Sequence, residues 1–315
     1  MQYNKERILS RLMEMIQIDS VSYKEGPMTD YLQKYFEDRG YEVYRDQAGK
    51  AVGGDHSGNL LIHIPGTMEG ESICLNAHQD TVEPGIGIVP VLEDGKLNSS
   101  GDTILAADDK SGIAIMLELL EVLKETGTPH RDMYYLFTIC EESGMYGAKN
   151  FDYSKIPTKN IFSLDGAGNL GFILKSGAGK DVLTITFHGK SAHGGIEPEK
   201  GINAINAAAL AISKVKFGRI DPETTSNIGR IEGGAATNIV TDKVTFTCEV
   251  RSHSQAQIEA QVQKIMDACQ EAAAEFGATV DIDVDHFCPP HKPDLDGFLT
   301  KATVRALELE GITPE

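Results

Sequence analysis

No tryptophan occurs among the 315 residues, and cysteine is confined to five positions, Cys74, Cys140, Cys248, Cys269 and Cys288. An odd number of widely spaced cysteines, set among apolar neighbours as in Phe137-Thr138-Ile139-Cys140, argues for reduced, buried thiols. No Cys-x-x-Cys pair is present, so a structural zinc ribbon or a dithiol redox motif has nothing to stand on. Also missing is any run of about 18–20 apolar residues of the kind a membrane helix needs, and Met1 to Arg7 lead into an amphipathic pattern rather than an export signal. Basic excess is absent as well. A net charge of −18 repels nucleic acid and anionic membrane, because both require a basic face that displaces counterions. These absences point to a soluble, cytoplasmic protein with neither nucleic acid nor membrane as partner, and the length to two domains.

What is present is ordered. Ile8, Leu12, Met15 and Ile16 recur at helical spacing behind Asn4, a suitable N-cap. A second helical pattern, Thr29 to Arg39, stops at Gly40, and Tyr41 to Tyr44 alternates as a strand does. Short apolar runs of strand length follow: Asn59 to Ile64, Ser72 to Ala77 running into His78, Tyr134 to Cys140 running into Glu141-Glu142, and Asn160 to Leu164 running into Asp165. An apolar helix, Ile113 to Leu123, lies among them. Strands alternating with helices predict an α/β sheet, whose sites collect at the C-terminal ends of its strands. Beyond Gly177-Ala178-Gly179 the pattern becomes strand, helix, two strands, helix, strand, the βαββαβ order of a ferredoxin-like unit, and one more helix is predicted over 298–309.

Four clusters sit where chemistry is expected. His78-Gln79-Asp80 follows a strand, and residues two apart there project to the same side, so imidazole and carboxylate can share a metal. Asp108-Asp109-Lys110-Ser111-Gly112 opens the apolar helix. It reads either as an N-cap whose acids complement the helix dipole or as a carboxylate, Asp108, bridging two cations and steadied by Lys110. Glu141-Glu142 ends a buried strand, where adjacent carboxylates are costly without a cation or a proton. Asp165-Gly166 ends another, with small residues behind it. Surface charge placement does not explain acids at successive strand ends, and a two-metal hydrolase does. No Gly-x-x-x-x-Gly-Lys-Ser/Thr loop supports phosphate chemistry.

In this order and at these separations, His78-x-Asp80, Ala107-Asp108-Asp109-Lys110-Ser111-Gly112, Glu141-Glu142-x-Gly144 and Asp165-Gly166 resemble the co-catalytic zinc exopeptidases of the peptidase T, carboxypeptidase G and aminoacylase group. The Ala-Asp-Asp-Lys wording is most similar to the peptidase T, or tripeptide aminopeptidase, branch, and the resemblance covers nearly the whole chain. It implies an α/β catalytic domain of mixed sheet flanked by helices over 1–178, an inserted ferredoxin-like lid and dimerisation domain over 179–287, and a return to the catalytic domain over 288–315. It further implies two zinc ions, with cobalt or manganese as possible substitutes, held by His78, Asp108, Glu142 and Asp165, with Asp108 shared between them. Glu141 is then the general base, Asp80 orients His78, and a cis peptide follows Asp108.

In the lid, Lys190-Ser191-Ala192-His193-Gly194 matches the family's lid histidine, so the resemblance implies that His193 steadies the oxyanion across a homodimer. The bland alternative is an exposed loop histidine. Asn238 and Arg251 match residues that hold the substrate's terminal carboxylate, a task that suits an Arg fork. His188, His253 and His291 carry no comparable signal. The family's last zinc ligand, a histidine after a glycine-rich Ser-Asp stretch, has no counterpart before Glu315, so the returning segment reads as truncated.

The activity so implied is removal of the N-terminal residue from short peptides, tripeptides foremost. An amidohydrolase acting on N-acyl amino acids, a carboxypeptidase of the same group, and a catalytically silent dimeric relative stay open as alternatives.

Overall fold

Asn4 begins the fold as expected: its side chain accepts from the Arg7 N–H at 3.1 Å and starts helix α1, Lys5–Ile16. The structure, a computed structural model, describes every residue except Met1, Gln2, Ala167 and Lys175, and divides into two units, Met1–Leu170 and Gly171–Glu315.

In the first unit, α1 is followed by α2 (Gly26–Glu37), β1 (Val43–Arg45), α3 (Ala48–Ala51), β2 (Leu60–Ile64), β3 (Ile73–His78), β4 (Pro90–Glu93) and β5 (Lys96–Ser99), then α4 (Lys110–Thr126), β6 (Met133–Thr138), α5 (Tyr146–Asn150) and β7 (Ile161–Ser163). Five strands form a mixed sheet in the order β1-β2-β6-β3-β7. The β1–β2 and β2–β6 pairs are antiparallel, while β3 pairs in parallel with both β6 and β7. Period-two alternation sorts the side chains. Leu60, Ile62, Tyr135 and Phe137 pack with Met28, Leu32 and Phe36 of α2 and with Ile113, Leu117 and Leu120 of α4. Leu61, Cys74 and Leu136 form a smaller cluster with Phe151 and Ile156. Helix α4 ends at Gly127 in the left-handed region, where a Cβ would be strained.

The hairpin β4–β5 departs from the expected reading, which placed no strand there. Its signal is Asp94-Gly95, both with positive φ (49° and 76°), the mark of a two-residue turn that matches strand twist.

The second unit contains β8 (Gly179–His188), α6 (Ala204–Lys214), β9 (Gly218–Asp221), β10 (Thr224–Gly233), β11 (Lys243–Ser252), α7 (Gln255–Phe276), β12 (Thr279–Cys288) and α8 (Phe298–Leu309). Its antiparallel sheet, β12-β8-β11-β10-β9, is the expected ferredoxin-like arrangement with one further edge strand, β9. Leu183, Ile185, Phe187, Val244, Phe246 and Val250 face Ala204, Ala207, Ala208 and Ala211 of α6 and Ile258, Ile265 and Ala272 of α7. Small residues on α6 let that helix lie close to the sheet. The stretches on either side of this layer pair with each other, Gly177 with His291 and Gly171 with Glu315. Four of the five cysteines are buried, Cys288 is half-buried, and all are free.

Candidate active site

Because β3, β6 and β7 run in parallel, the segments that leave their C-terminal ends share one edge of the sheet. His78 closes β3 and is 2 % exposed. Its Nδ1 lies 2.9 Å from the Asp80 main-chain oxygen and 3.4 Å from Asp80 Oδ1. A carbonyl only accepts, so Nδ1 carries the proton, and Nε2 is directed at Asp108 Oδ1, 3.1 Å away, and Asp165 Oδ2, 4.0 Å away. Ligand atoms of His78, Asp108 and Asp165 all lie within 4.8 Å of one another. Glu142 is exposed and stands outside that group of three.

The turn after β6 is fixed from below. Four successive backbone N–H groups donate to side chains: Ile139 to Asn59 Oδ1 at 3.1 Å, Cys140 to Glu25 Oε1 at 3.0 Å, Glu141 to Asp80 Oδ1 at 2.8 Å and Glu142 to Asp80 Oδ2 at 3.2 Å. Asp80, fully buried, also accepts from Ser22 Oγ at 2.7 Å. Cys140 sits at φ 50°, a strained value for a residue with a Cβ, and Ala106, just before Asp108, at φ 58°. The peptide bond between Asp108 and Asp109 is cis, as the resemblance implied.

Electrostatics bind these pieces together. Burial, with the charges of Asp165, Asp80 and Glu142, pushes the Glu141 carboxyl up to about 7 against the opposing pull of His78. Burial raises Asp109 to about 7 as well, with Asp165 reinforcing it. Glu142 and Asp165 are raised by burial and by Asp108 and Asp80. Burial lowers His78, yet the hydrogen bond to Asp80 and the charges of Asp80, Asp109 and Glu141 outweigh it and lift the imidazole to about 10. Asp80 is disfavoured by burial, but its bonds to His78 and Ser22 hold it below the usual range. Carboxyls raised by one another and an imidazole raised by Asp80, Asp109 and Glu141 describe a site short of positive charge, which divalent cations would supply. The donor set of imidazole and carboxylates fits such ions.

Lys110 does not supply that charge, contrary to the expectation that it steadies Asp108. Its Nζ is buried and donates to the Ile18 carbonyl at 2.8 Å, just past the end of α1 where carbonyls lack helical partners. Burial lowers it to about 8. Asp109 performs the capping that the sequence left open, accepting from Gly112 N–H at 3.1 Å and from His78 N–H at 3.3 Å.

In the second unit, His193 and Asn238 are neighbours. His193 forms an isolated bridge with Ile239, and Gly194 N–H donates to the Asn238 carbonyl at 2.8 Å. Both side chains are exposed. Arg251 is not with them. The His193–Asn238 loops adjoin the Lys243 end of β11, whereas Arg251 lies at its other end, about 26 Å along the strand at about 3.3 Å per residue. Its guanidinium forks onto Glu249, at 2.8 and 3.0 Å.

Sequence reasoning missed Glu25, Asn59 and Ser22. Their partners are far along the chain, and no local sequence pattern points to them.

Comparison with known proteins places the chain among peptidases. Residues 59–193 match the family pattern described as peptidase family M28, and residues 179–277 match a peptidase dimerisation domain of M20 type. The fold is that of a metallopeptidase. A PepT aminopeptidase from Bacillus cereus is 41 % identical with a TM-score of 0.91, the match covering 99 % of this chain and 84 % of that one. A tripeptidase from Staphylococcus aureus is 34 % identical with a TM-score of 0.92, covering 99 % and 83 %. An uncharacterized Bacillus subtilis protein, YqjE, is 42 % identical over 92 % of this chain and 78 % of its own length. The chain belongs to the peptidase T family that these aminopeptidases and tripeptidases represent.

Proposed function

We propose that the protein is a metallo-aminopeptidase that removes the N-terminal residue from short peptides, tripeptides foremost, and that its metal is zinc, two ions per chain. The convergence of His78, Asp108 and Asp165 at one sheet edge, beside a half-buried Glu141, carries this reading. His78 and Asp165 would each hold one ion or the other, Asp108 both, and Glu142 the second. Bound there, the ions would polarise the scissile carbonyl and acidify a water molecule.

Glu141 takes a proton from the water whose oxygen adds to the peptide carbonyl carbon, and returns it to the nitrogen as the C–N bond breaks. Burial and the neighbouring carboxylates raise the Glu141 carboxyl, the direction both transfers need, while bound cations would oppose it. The Asp80 main-chain oxygen takes the Nδ1 proton, so in the neutral imidazole, the form a bound cation would select, Nε2 is free for a ligand role. His193 would donate to the oxyanion, and Asn238 and Arg251 would hold the peptide's carboxylate. The match of residues 179–277 to a dimerisation domain supports a homodimer. Among the described residues no helix is long and apolar enough to cross a membrane, and the free thiols suit the cytoplasm.

The test is elemental analysis of the purified protein together with hydrolysis of tripeptides and of N-acyl amino acids, before and after chelation. Chelator-sensitive release of N-terminal residues, restored by zinc, is expected. Preference for N-acyl amino acids, or turnover indifferent to chelation, overturns the assignment.

A further inference from the structure

Glu25 is a fully buried acid that the mechanism above does not use. Its partners are neutral donors. Oε1 accepts from Tyr23 N–H at 3.1 Å, Cys140 N–H at 3.0 Å and the Cys140 thiol at 3.1 Å, while Oε2 accepts from Ser57 Oγ at 3.2 Å. A buried carboxyl without a cation is costly, and two of the four donors that compensate this one come from a single residue of one turn. That residue, Cys140, is held at φ 50° directly before Glu141. On its two sides the backbone is gripped by Asn59 and Asp80. Asp80 fixes the N–H groups of Glu141 and Glu142, and among the described residues only Glu25 accepts from the N–H of the strained residue directly before Glu141.

We infer that Glu25 is a positioning residue for the general base, its carboxylate locking the left-handed Cys140 so that Glu141 is aimed by a rigid turn. The inference rests on the reading of Glu141 as base. It needs no charge on Glu25 beyond its capacity to accept. A glutamine keeps the accepting oxygen for the Cys140 and Tyr23 N–H groups, an aspartate falls short by one methylene, and an alanine removes the contact.

The test measures kcat and KM for a tripeptide, zinc content, and amide hydrogen exchange of peptides covering residues 139–146. The variants are Glu25→Gln, Glu25→Asp and Glu25→Ala in the full chain, with Glu141→Ala as reference. Glu25→Asp and Glu25→Ala are expected to lower kcat about 10- to 100-fold, the range for residues that orient a site. KM should stay within about threefold and zinc should be retained, and exchange of 139–146 should accelerate at least about tenfold while α4 stays unchanged. Glu25→Gln should restore kcat to within about threefold.

Unchanged kcat and slow exchange in Glu25→Asp overturn the inference, and that variant decides if Glu25→Ala fails to fold. Loss of zinc, or a Glu25→Gln variant as impaired as Glu25→Ala, overturns it too, the first by showing a structural role and the second a need for charge. Should the wild type cleave no peptide, or Glu141→Ala stay active, the functional reading falls. The exchange measurement then still decides whether Glu25 holds the turn.

Discussion

The two units differ in what lies beneath their exposed functional side chains. At the sheet edge of the first, Glu25, Asn59, His78, Gln79, Asp80, Asp109 and Lys110 are all buried, and each has hydrogen-bond partners among neighbouring loops. In the second, the residues of functional interest, His193, Asn238 and Arg251, are exposed on loops or a strand face, above a core of alanine, isoleucine and phenylalanine. Buried polar networks tie position to stability, whereas exposed side chains can change without unsettling the fold. The first unit therefore sets its exposed carboxylates, Asp108, Glu142 and Asp165, on a buried polar network, whereas the second presents its groups above an apolar core.

That contrast can be broken by experiment. The largest effect is expected for Glu141→Ala. General acid–base assistance is worth about 10²- to 10⁴-fold, so kcat on a tripeptide should fall by that order while elemental analysis finds the metal still bound. Retained turnover would remove Glu141 from the mechanism. His193→Ala should cost about 10²- to 10³-fold, the range for one oxyanion donor, and leave Tm unchanged because the side chain is exposed. A marked drop in Tm would contradict the division drawn between the units.

Asp80→Asn should lower turnover about 10- to 100-fold and also lower Tm, since an amide has one accepting oxygen for the donors that Asp80 now receives on two. Calorimetry and steady-state kinetics on the same preparation would separate the two losses.

The smallest effect concerns α1. Arg7 holds Glu118, 3 % exposed, through Nε at 2.6 Å and Nη2 at 2.9 Å, and this bond keeps the Glu118 carboxyl below its ordinary 4.5. A depressed carboxyl contributes stability that is present above the unfolded value and lost as pH falls through the folded one. Arg7→Ala should therefore cost about 1.5–3 kcal/mol near neutrality. The difference in Tm from wild type should narrow as pH drops below 4.5. A gap that stays constant across that range would mean the pair adds nothing as an ion pair.

How much of this was legible beforehand depends on where the information lies. Strand ends carrying His78, Glu141-Glu142 and Asp165 could be read because apolar runs stop on them, and the ferredoxin-like order because its periodicities alternate cleanly. The β4–β5 hairpin was legible in Asp94-Gly95 but is short and largely polar at its tip, so the apolar pattern does not announce it. Edge strand β9 has only Ile220 as an aliphatic residue. The grip of Glu25, Asn59 and Asp80 on the turn at 139–142 could not be read at all. It joins residues 115, 80 and 61 positions apart, and tertiary contacts of single side chains leave no period in a sequence. Lys110 illustrates the opposite error, in which adjacency to Asp108 suggested a partner while the helix start turned its side chain toward Ile18.

The separation along β11 has a genetic consequence. An extended tripeptide spans at most about 11 Å, less than half the distance between the strand ends near His193 and at Arg251. If both residues serve the same peptide, two copies of the chain contribute them. Mixing inactive His193→Ala and Arg251→Ala proteins would then revive turnover, since a hybrid assembly pairs the intact residue of one chain with the intact residue of the other.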